Sequence, residues 1–231
     1  MTERLLTVLK KINNCRSLLD VGCDHGYLAI AAVREKRAER VIASDVNKGP
    51  LASADENIKK AGLEGQIETR LGSGITVISP GEAETVVIAG MGGILISELL
   101  NENERVTRSV EKFILQPMNS LPDLRRKLIS DGFTVTEETI CKERERLYHI
   151  LTVKNGREEP YAKEIFYYTG DLNRLTDTPR EITEEYFRRT EEKFRRVLEG
   201  LEDASEGEER KKYYEKLLEE LLWLRSEILK K

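Results

Sequence analysis

Residues 18–27 read LLDVGCDHGY, and this stretch decides the fold. A short apolar run leads through two glycines into a helix-like segment, which is the pattern of a strand, a tight turn and a helix. Gly22 and Gly26 would let the backbone turn sharply and approach a ligand closely. The alternative is a glycine turn that holds no ligand. The sequence therefore predicts the start of a βαβ unit with a candidate ligand loop in it.

The same alternation continues on both sides of this unit. Short apolar or β-branched runs predict parallel strands, and the stretches between them predict helices that cover both faces of the sheet. The predicted strands span residues 17–21, 40–45, 66–71, 84–89 and 112–116. The predicted helices span residues 27–37, 51–61, 94–100 and 121–130, after an amphipathic helix at residues 5–12. The predicted fold class is α/β, with a Rossmann-like, mostly parallel sheet.

Two more strand-like runs, residues 133–141 and 147–153, end this part of the chain. The five residues between them are too few for a crossover helix, so the two strands should form an antiparallel hairpin. Parallel strands that end in such a hairpin are typical of class I methyltransferases and not of ordinary dinucleotide-binding domains.

The composition changes after Gly156. Residues 157–231 contain 16 basic and 20 acidic residues, whereas the preceding part contains 22 of each, so the C-terminal part carries the whole net charge of −4. Two apolar stripes at helical spacing, joined by a polar loop at residues 200–207, predict a coiled-coil-like helical hairpin. The stripes consist of Ile182, Tyr186, Thr190, Phe194, Val197 and Leu201, and of Tyr214, Leu217, Leu218, Leu221 and Ile228. We expect a domain at 1–155 and a helical domain at 156–231; the alternative is a solvated charged tail.

Composition also excludes several classes of protein. Cys15, Cys23 and Cys141 are odd in number and widely spaced, which fits neither a disulfide framework nor a CxxC site and predicts a reducing cytoplasm. His25 and His149 form no ligand pair with a cysteine, so we expect no metal. No apolar run approaches the roughly 18 residues that a membrane helix needs, and no signal peptide is expected. Because the chain is near neutral, nucleic-acid binding would need a local patch.

The chemistry of the candidate loop favours one nucleotide cofactor over another. A dinucleotide fingerprint would place glycine at positions 24 and 27, where this chain has Asp24 and Tyr27. A carboxylate repels a pyrophosphate but attracts the ammonium group of a methionine moiety. Asp45 ends the second predicted strand, 19 residues after Gly26, where an acidic side chain can accept both ribose hydroxyls, although it could also be a turn residue. The loop therefore favours S-adenosylmethionine over NAD.

The next two strand ends complete the predicted site, because ligands of open α/β sheets lie beyond the carboxyl ends of the strands. Ser73, between Gly72 and Gly74, could border an adenine, and the glycines of residues 88–93 would leave space for a flat base beside the reacting methyl group; both segments could instead serve only turns or packing. The predicted cofactor-binding residues are Asp20, Gly22, Asp24, His25, Gly26, Asp45, Val46, Gly72, Ser73, Gly74, Ala89 and Gly90.

These segments together resemble one known family. Residues 20–27, 45–47 with Pro50, 88–93, and Leu115-Gln116-Pro117 followed by Leu124-Arg125 look like the bacterial tRNA (adenine 22-N1)-methyltransferase family. The resemblance extends from the first helix through Tyr148, and a helical C-terminal extension is also typical of that family. Two positions depart from its pattern. Ser73 stands where the family usually has Asp, and Met118 precedes Asn119 where the family usually reads Gln-Pro-Asn.

The resemblance implies methyl transfer from S-adenosylmethionine to N1 of an adenine in tRNA. The residues that it implies at the reacting centre are Gly90, Met91, Gly92, Gly93 and Gln116. The target base would have to leave its stack, and Tyr27 could stack on it, although a role in the core is the alternative that we favour. Two other functions stay open: a small-molecule methyltransferase, and a tRNA-binding protein that holds the cofactor without turnover.

RNA contacts are expected from arginines in both parts of the chain, namely Arg125, Arg126, Arg188, Arg189, Arg195 and Arg196. The last four form two pairs about 10 Å apart along one helix, a separation that can follow a phosphate backbone. The alternative is a solvated face in which they pair with Glu184, Glu185, Glu191 or Glu192. We expect a monomer, with a dimer through the hairpin as the alternative.

Overall fold

The computed structural model describes residues 1–201 and 207–229. Seven strands form its single sheet: β1 (Cys15–Val21), β2 (Ala38–Asp45), β3 (Ile67–Leu71), β4 (Thr85–Met91), β5 (Lys112–Pro117), β6 (Phe133–Glu143) and β7 (Arg146–Asn155). Their order is β3-β2-β1-β4-β5-β7-β6, and β7 is the one strand of this sheet that runs in the direction opposite to the other six. The predicted Rossmann-like sheet with a terminal antiparallel hairpin is confirmed.

Helices cover both faces of the sheet and continue beyond it. They are α1 (Glu3–Lys11), α2 (Tyr27–Arg34), α3 (Lys48–Ala61), α4 (Gly93–Asn101), α5 (Glu104–Ser109), α6 (Leu121–Ser130), α7 (Ile165–Thr169), α8 (Arg180–Glu199) and α9 (Glu208–Leu229). The predicted helix at 27–37 is wrong at its C-terminal end. It stops at Arg34 because Lys36 adopts a left-handed φ of 57° and β2 begins at Ala38. The short helices α5 and α7 were not predicted, since five or six residues carry no helical periodicity.

The sheet buries an apolar core on each face. Because side chains alternate along a strand, Leu18 and Leu19 of β1 pack into opposite cores. Helices α1, α2 and α3 cover the face of Leu18, and helices α4, α5 and α6 cover the face of Leu19. Nearly continuous burial of the central strands is what a parallel sheet covered on both faces requires.

The predicted helical hairpin is confirmed by α8 and α9. They share a third core of Phe187, Phe194, Leu217, Leu221 and Leu224 with Ile165 of α7. Part of the predicted loop at 200–207 and the side chain of Ile228 lie outside the described residues.

The segment between β7 and α8 packs on the outer strand of the sheet. Glu138 of β6 forms a bridge with Leu175, Arg174 donates to the carbonyl of Val135 at 2.5 Å, and Lys142 pairs with Glu185 at 2.9 Å. These contacts attach the C-terminal part firmly to the sheet. The division of the chain into two domains at residues 155/156 stays a proposal.

Candidate functional site

The loop after β1 lies at the carboxyl edge of the sheet. The backbone N–H groups of Gly22 and Cys23 both donate to the carbonyl of Ser44 in β2, at 2.8 and 2.9 Å. Gly22, Asp24 and Gly26 all have positive φ angles, between 51° and 71°. Gly26 also packs closely, because an added Cβ would lie 3.2 Å from Cβ of Ala54 in α3. The loop is therefore an ordered turn between two strand ends.

Asp20 is a buried carboxyl group beneath this loop. Its side chain is only 4% exposed, and its Oδ2 has no hydrogen-bond partner among the described residues. Burial raises the pKa of Asp20 to about 7; a backbone hydrogen bond from Ala29 lowers it, and the charge of Asp45 raises it further. A buried carboxylate oxygen without a partner is costly unless a ligand supplies a donor or a positive charge. Asp20 thus fits a cationic ligand group.

Asp45 ends β2 beside the loop. Its Oδ1 accepts from the backbone N–H of Asn47 at 2.8 Å, and its other carboxylate oxygen has no recorded partner among the described residues. The next side chain, Val46, is 61% exposed and offers an apolar surface at the strand end. A carboxylate oxygen beside an apolar surface suits a ribose that carries a flat base.

The segment after β3 is more constrained than the sequence suggested. Ser73 donates its hydroxyl to Glu102 at 2.9 Å, so only its lone pairs remain for an adenine amine. An added Cβ at Gly72 would lie 2.6 Å from Val77, and one at Gly74 would lie 2.8 Å from Leu99. Both glycines are needed for packing here.

The end of β4 is interrupted by a bulge at Gly90. The register with β5 shifts between Ala89 and Met91, and Gly90 has a φ of 83°. The N–H of Gly90 donates to Oε1 of Gln116 at 3.1 Å, and the guanidinium of Arg4 donates to the same oxygen. A side chain therefore holds the bulge, and α1 is tied to it through Arg4.

This arrangement corrects the expected role of Gln116. The side chain is fully buried, and its Nε2 donates to the carbonyl of Pro117 at 2.8 Å. Both ends of its amide are thus engaged, so Gln116 holds the backbone around Gly90 and has no free amide group to offer a substrate. Arg4 was not among the predicted residues, because nothing in a first-turn arginine indicates which strand end it will reach.

The glycines after Met91 allow the loop after β5 to approach closely. An added Cβ at Gly93 would lie 2.7 Å from the carbonyl of Ser120, and one at Gly92 would lie 3.0 Å from Oδ1 of Asn119. Met91 in turn leans over the first loop, since an added Cβ at Gly22 would lie 2.5 Å from its Cε. The exposed Asn119 therefore lies at the reacting segment despite its shift by one position in sequence. It was not among the predicted residues.

Large apolar side chains are exposed around this edge. They are Tyr27, Val46, Leu71, Ile94, Leu95 and Met118, each following or ending a strand at its carboxyl end. The role in the core that we favoured for Tyr27 is wrong, because its side chain is 54% exposed; its ring lies 5.5 Å from that of the exposed His25. An apolar rim above a polar loop suits a ligand with flat rings.

The expected RNA contact at Arg125 is corrected by its burial. Arg125 is fully buried, forms an ion pair with Glu138, and donates to the carbonyls of Tyr167 and Tyr168 at 2.7 and 2.9 Å. Its guanidinium joins α6 to β6 and α7 and cannot reach a phosphate. The neighbouring Arg126 is 37% exposed and pairs with Glu164.

Three of the four arginines of α8 pair with glutamates, as the alternative interpretation allowed. Arg188 contacts Glu192 at 2.6 Å, Arg189 contacts Glu185 at 2.5 Å, and Arg195 contacts Glu191 at 2.8 Å. Within the described part of the chain, Arg196 donates only to the backbone carbonyl of Glu192. Exposed pairs of this kind contribute about 0.3–0.5 kcal/mol each, so a phosphate could displace them at small cost.

Two negative findings apply to the described residues. No group of three or more His, Cys, Asp or Glu side chains within residues 1–201 and 207–229 could hold a metal ion. Over the same part of the chain, no helix is both long and apolar enough to span a membrane.

Burial raises the pKa of Cys23 to about 12, and the nearby carboxylates add to this effect, so the thiol in the loop stays protonated.

Known proteins match this chain along most of its length. A model of the methyltransferase domain matches residues 1–151. The tRNA (adenine(22)-N(1))-methyltransferase of Bacillus subtilis is 34% identical over 172 residues, which cover 74% of this chain and 72% of the relative. A Streptococcus pneumoniae protein proposed to be a tRNA (m1A22) methyltransferase superposes with a TM-score of 0.85 at 31% identity, covering 96% of this chain and 99% of the other. Its complex with S-adenosyl-L-methionine superposes with a TM-score of 0.81 at 30% identity, covering 94% and 99%. This chain therefore belongs to the tRNA (adenine(22)-N(1))-methyltransferase family.

Proposed function

We propose that this chain transfers a methyl group from S-adenosylmethionine to N1 of adenine 22 in tRNA. The observation that carries the proposal is the carboxyl edge of the sheet. There a buried carboxyl group with one oxygen that has no partner among the described residues, a strand-end aspartate and a glycine bulge lie together under an apolar rim. The B. subtilis relative is named for this activity, and this chain belongs to the same family. We therefore propose the same activity for this chain.

The cofactor contacts follow from the chemistry of the edge. Asp20 and the loop at Gly22 to Gly26 would hold the methionine moiety, whose ammonium group compensates the buried carboxyl group. Asp45 would accept the ribose hydroxyls, and Val46 would cover the adenine. The remaining predicted contacts, Asp24, His25, Ser73 and Ala89, stay part of the proposal.

When bound, S-adenosylmethionine supplies a methyl group on an activated sulfonium. Adenine N1 already carries a lone pair, so the reaction needs alignment more than it needs an acid or a base, and holding the atoms at about 3–3.5 Å can supply several kcal/mol. The bulge at Gly90, held by Gln116, fixes the backbone of the reacting segment. The exposed Asn119 offers an amide to the edge of the base.

The tRNA contacts are proposed for the C-terminal helices. Arg126, Arg188, Arg189, Arg195 and Arg196 carry cations on that surface, each already engaged by a glutamate or a carbonyl. We propose a monomer that acts in the cytoplasm, where the three protonated, buried thiols would stay reduced.

The test is to methylate an unmodified tRNA transcript and to analyse its nucleosides by mass spectrometry. We expect 1-methyladenosine at position 22, seen as a reverse-transcription stop, and no product from a transcript with guanine at that position. N6-methyladenosine or methylguanosine as the product would contradict the proposal. Methylation of small molecules without any transfer to tRNA would favour the small-molecule alternative.

A further inference from the structure

A cleft of about 630 Å³ lies between the sheet domain and α8. One wall is the loop after β5, where Met118 and Asn119 lie beside the reacting glycines. The second wall is the end of the β6–β7 hairpin at Arg146 and Tyr148, and the third comes from α8 at Tyr186 and Lys193. The cleft thus starts at the reacting segment and leads away from it, and its volume is within the range of about 300–1,000 Å³ that small-ligand sites have.

The charge of the cleft is positive, and two of its cations are unpaired. Arg146 and Lys193 have no ion-pair partner among the described residues, whereas Arg188, Arg189 and Arg195 on α8 all pair with glutamates. The acidic residue of the lining is Glu145, and its carboxylate lies 3.7 Å from Arg189. Unpaired cations at a concave surface attract an anion, and a phosphodiester is the anion that this substrate class would bring.

The walls also carry aromatic rings. Tyr148 is half-buried beside the reacting segment. The guanidinium of Arg4 lies over the Tyr148 ring, 5.7 Å from the ring centroid. Its hydroxyl makes no recorded hydrogen bond within residues 1–201 and 207–229. Aromatic side chains next to cations are the combination with which proteins bind single-stranded nucleotides, since every base can stack on a ring.

A buried network holds the walls in place. Glu138 forms an ion pair with Arg125 and a hydrogen bond with Nδ1 of His149, and the ring of His149 lies 4.5 Å from that of Tyr186 in an edge-to-face contact. The hydroxyl of Tyr186 donates to the carbonyl of Tyr168 at 2.6 Å. Burial lowers the pKa of His149, so the imidazole adds no charge to the cleft. Hydrogen bonds, an ion pair and a ring contact therefore hold the walls of the cleft in fixed positions.

We infer that the cleft binds the nucleotide next to the methylated adenine in the RNA, with its base against Tyr148 and its phosphate between Arg146 and Lys193. This inference rests on the proposed function for the identity of the RNA. It adds a subsite for a flanking nucleotide that no sequence motif indicated. Binding a neighbour there would also help to keep the target base turned out of its stack.

The test measures equilibrium binding of a fluorescently labelled tRNA transcript over a series of salt concentrations. Arg146→Ala/Lys193→Ala should flatten the slope of log K against log salt by about 0.7, because one single-strand phosphate is no longer neutralised. The control Arg180→Ala/Lys212→Ala removes two exposed cations that pair with Glu184 and Glu208 outside the cleft, and it should keep the wild-type slope. Equal slopes for both double variants would overturn the inference.

A second measurement tests the stacking contact. Tyr148→Ala should weaken transcript binding about 5- to 100-fold, and Tyr148→Phe should not, because the ring is retained. A transcript with one abasic nucleotide beside the target adenine, placed on either side in turn, should bind wild type more weakly but show no further weakening with Tyr148→Ala. If the two effects simply add, the ring does not contact that base and the subsite is wrong.

Binding assays keep this test separate from the proposed function. In one outcome, the salt-slope and Tyr148 measurements give the expected results while the wild-type protein forms no 1-methyladenosine. That outcome would contradict the proposed function and support the inference about the cleft. If Arg146→Ala/Lys193→Ala instead weakens the binding of S-adenosylmethionine and leaves transcript binding unchanged, the cleft belongs to the cofactor and the inference fails.

Discussion

Among the single residues proposed for the cofactor site at the carboxyl edge, Asp45 has the simplest proposed role. A carboxylate that accepts two ribose hydroxyls contributes charge-assisted hydrogen bonds of about 1.5–3 kcal/mol each. Asp45→Ala should therefore weaken the binding of S-adenosylmethionine by at least about tenfold in calorimetry. Asp55→Ala, an exposed aspartate on α3 that pairs with Lys59, is the matched control. An unchanged cofactor affinity in Asp45→Ala would contradict the assignment.

Asp20 should make the stability of the ligand-free protein depend on pH. Its native pKa of about 7 lies above the unfolded value of about 3.9, so between these values the folded chain binds more protons than the unfolded chain. The contribution of Asp20 is thus fully present below about pH 4 and is lost as the pH rises through about 7. Asp20→Asn should remove this loss, which is on the order of a few kcal/mol.

Urea unfolding of the ligand-free protein at pH 5 and pH 8 checks this expectation. Relative to wild type, Asp20→Asn should be more stable at pH 8 than at pH 5. Asp24→Asn, which changes an exposed carboxylate of the same loop, should follow the wild-type pH dependence. If Asp20→Asn also follows it, the carboxyl group of Asp20 is ionised in the free protein at both pH values.

At the level of elements, the link between α1 and the bulge in β4 is the feature to test. Gln116→Ala would leave the N–H of Gly90 without its partner and would free the guanidinium of Arg4. We expect kcat for tRNA methylation to fall about 10- to 100-fold, as small misplacements of reacting groups do, with little change in cofactor affinity. Arg4→Lys, which keeps a donor for Gln116, should retain more activity than Arg4→Ala.

Single-turnover kinetics and cofactor calorimetry on the same preparations separate the possible outcomes. A fall in the transfer rate without a change in cofactor affinity supports a positioning role. Equal activity of Arg4→Lys and Arg4→Ala would show that α1 does not act through Gln116.

For the whole molecule, the question is how the C-terminal helices take part. Arg125 ties α6 to the carbonyls of Tyr167 and Tyr168, so removing everything after Lys154 would leave a buried cation without these acceptors. Truncation would therefore damage the fold and could not test RNA binding. Substitution on the surface of α8 is the cleaner approach.

Replacing the four arginines at 188, 189, 195 and 196 by Gln should raise KM for tRNA. It should also flatten the slope of log K for tRNA binding against log salt, by up to about 0.9 for each duplex phosphate that is no longer neutralised. Gln is preferred to Glu because Glu185, Glu191 and Glu192 would face new carboxylates one helical turn away. Cofactor affinity should not change. Wild-type KM across the salt series would exclude these arginines from RNA binding, and sedimentation would then test whether the helices form a dimer.

Much of the fold follows from the sequence because its causes are local. Strand and helix patterns depend on residues a few positions apart, and the two glycines of residues 18–27 mark the turn between them. The positions of Asp20 and Asp45 at one edge of the sheet could likewise be predicted, since residues at the carboxyl ends of parallel strands meet there whatever the rest of the chain does.

Only the tertiary structure decided which polar side chains are buried and what they contact. Arg125 and Arg126 are neighbours in sequence, yet one is fully buried against Glu138 and the other is partly exposed. Gln116 likewise looked like a reacting residue until its amide was seen to hold the bulge. Such assignments depend on partners 13 to 112 positions away, as with Arg125 to Glu138 and Arg4 to Gln116. Distant partners of this kind come together only on folding, because the packing of whole elements and not local propensity sets their distance.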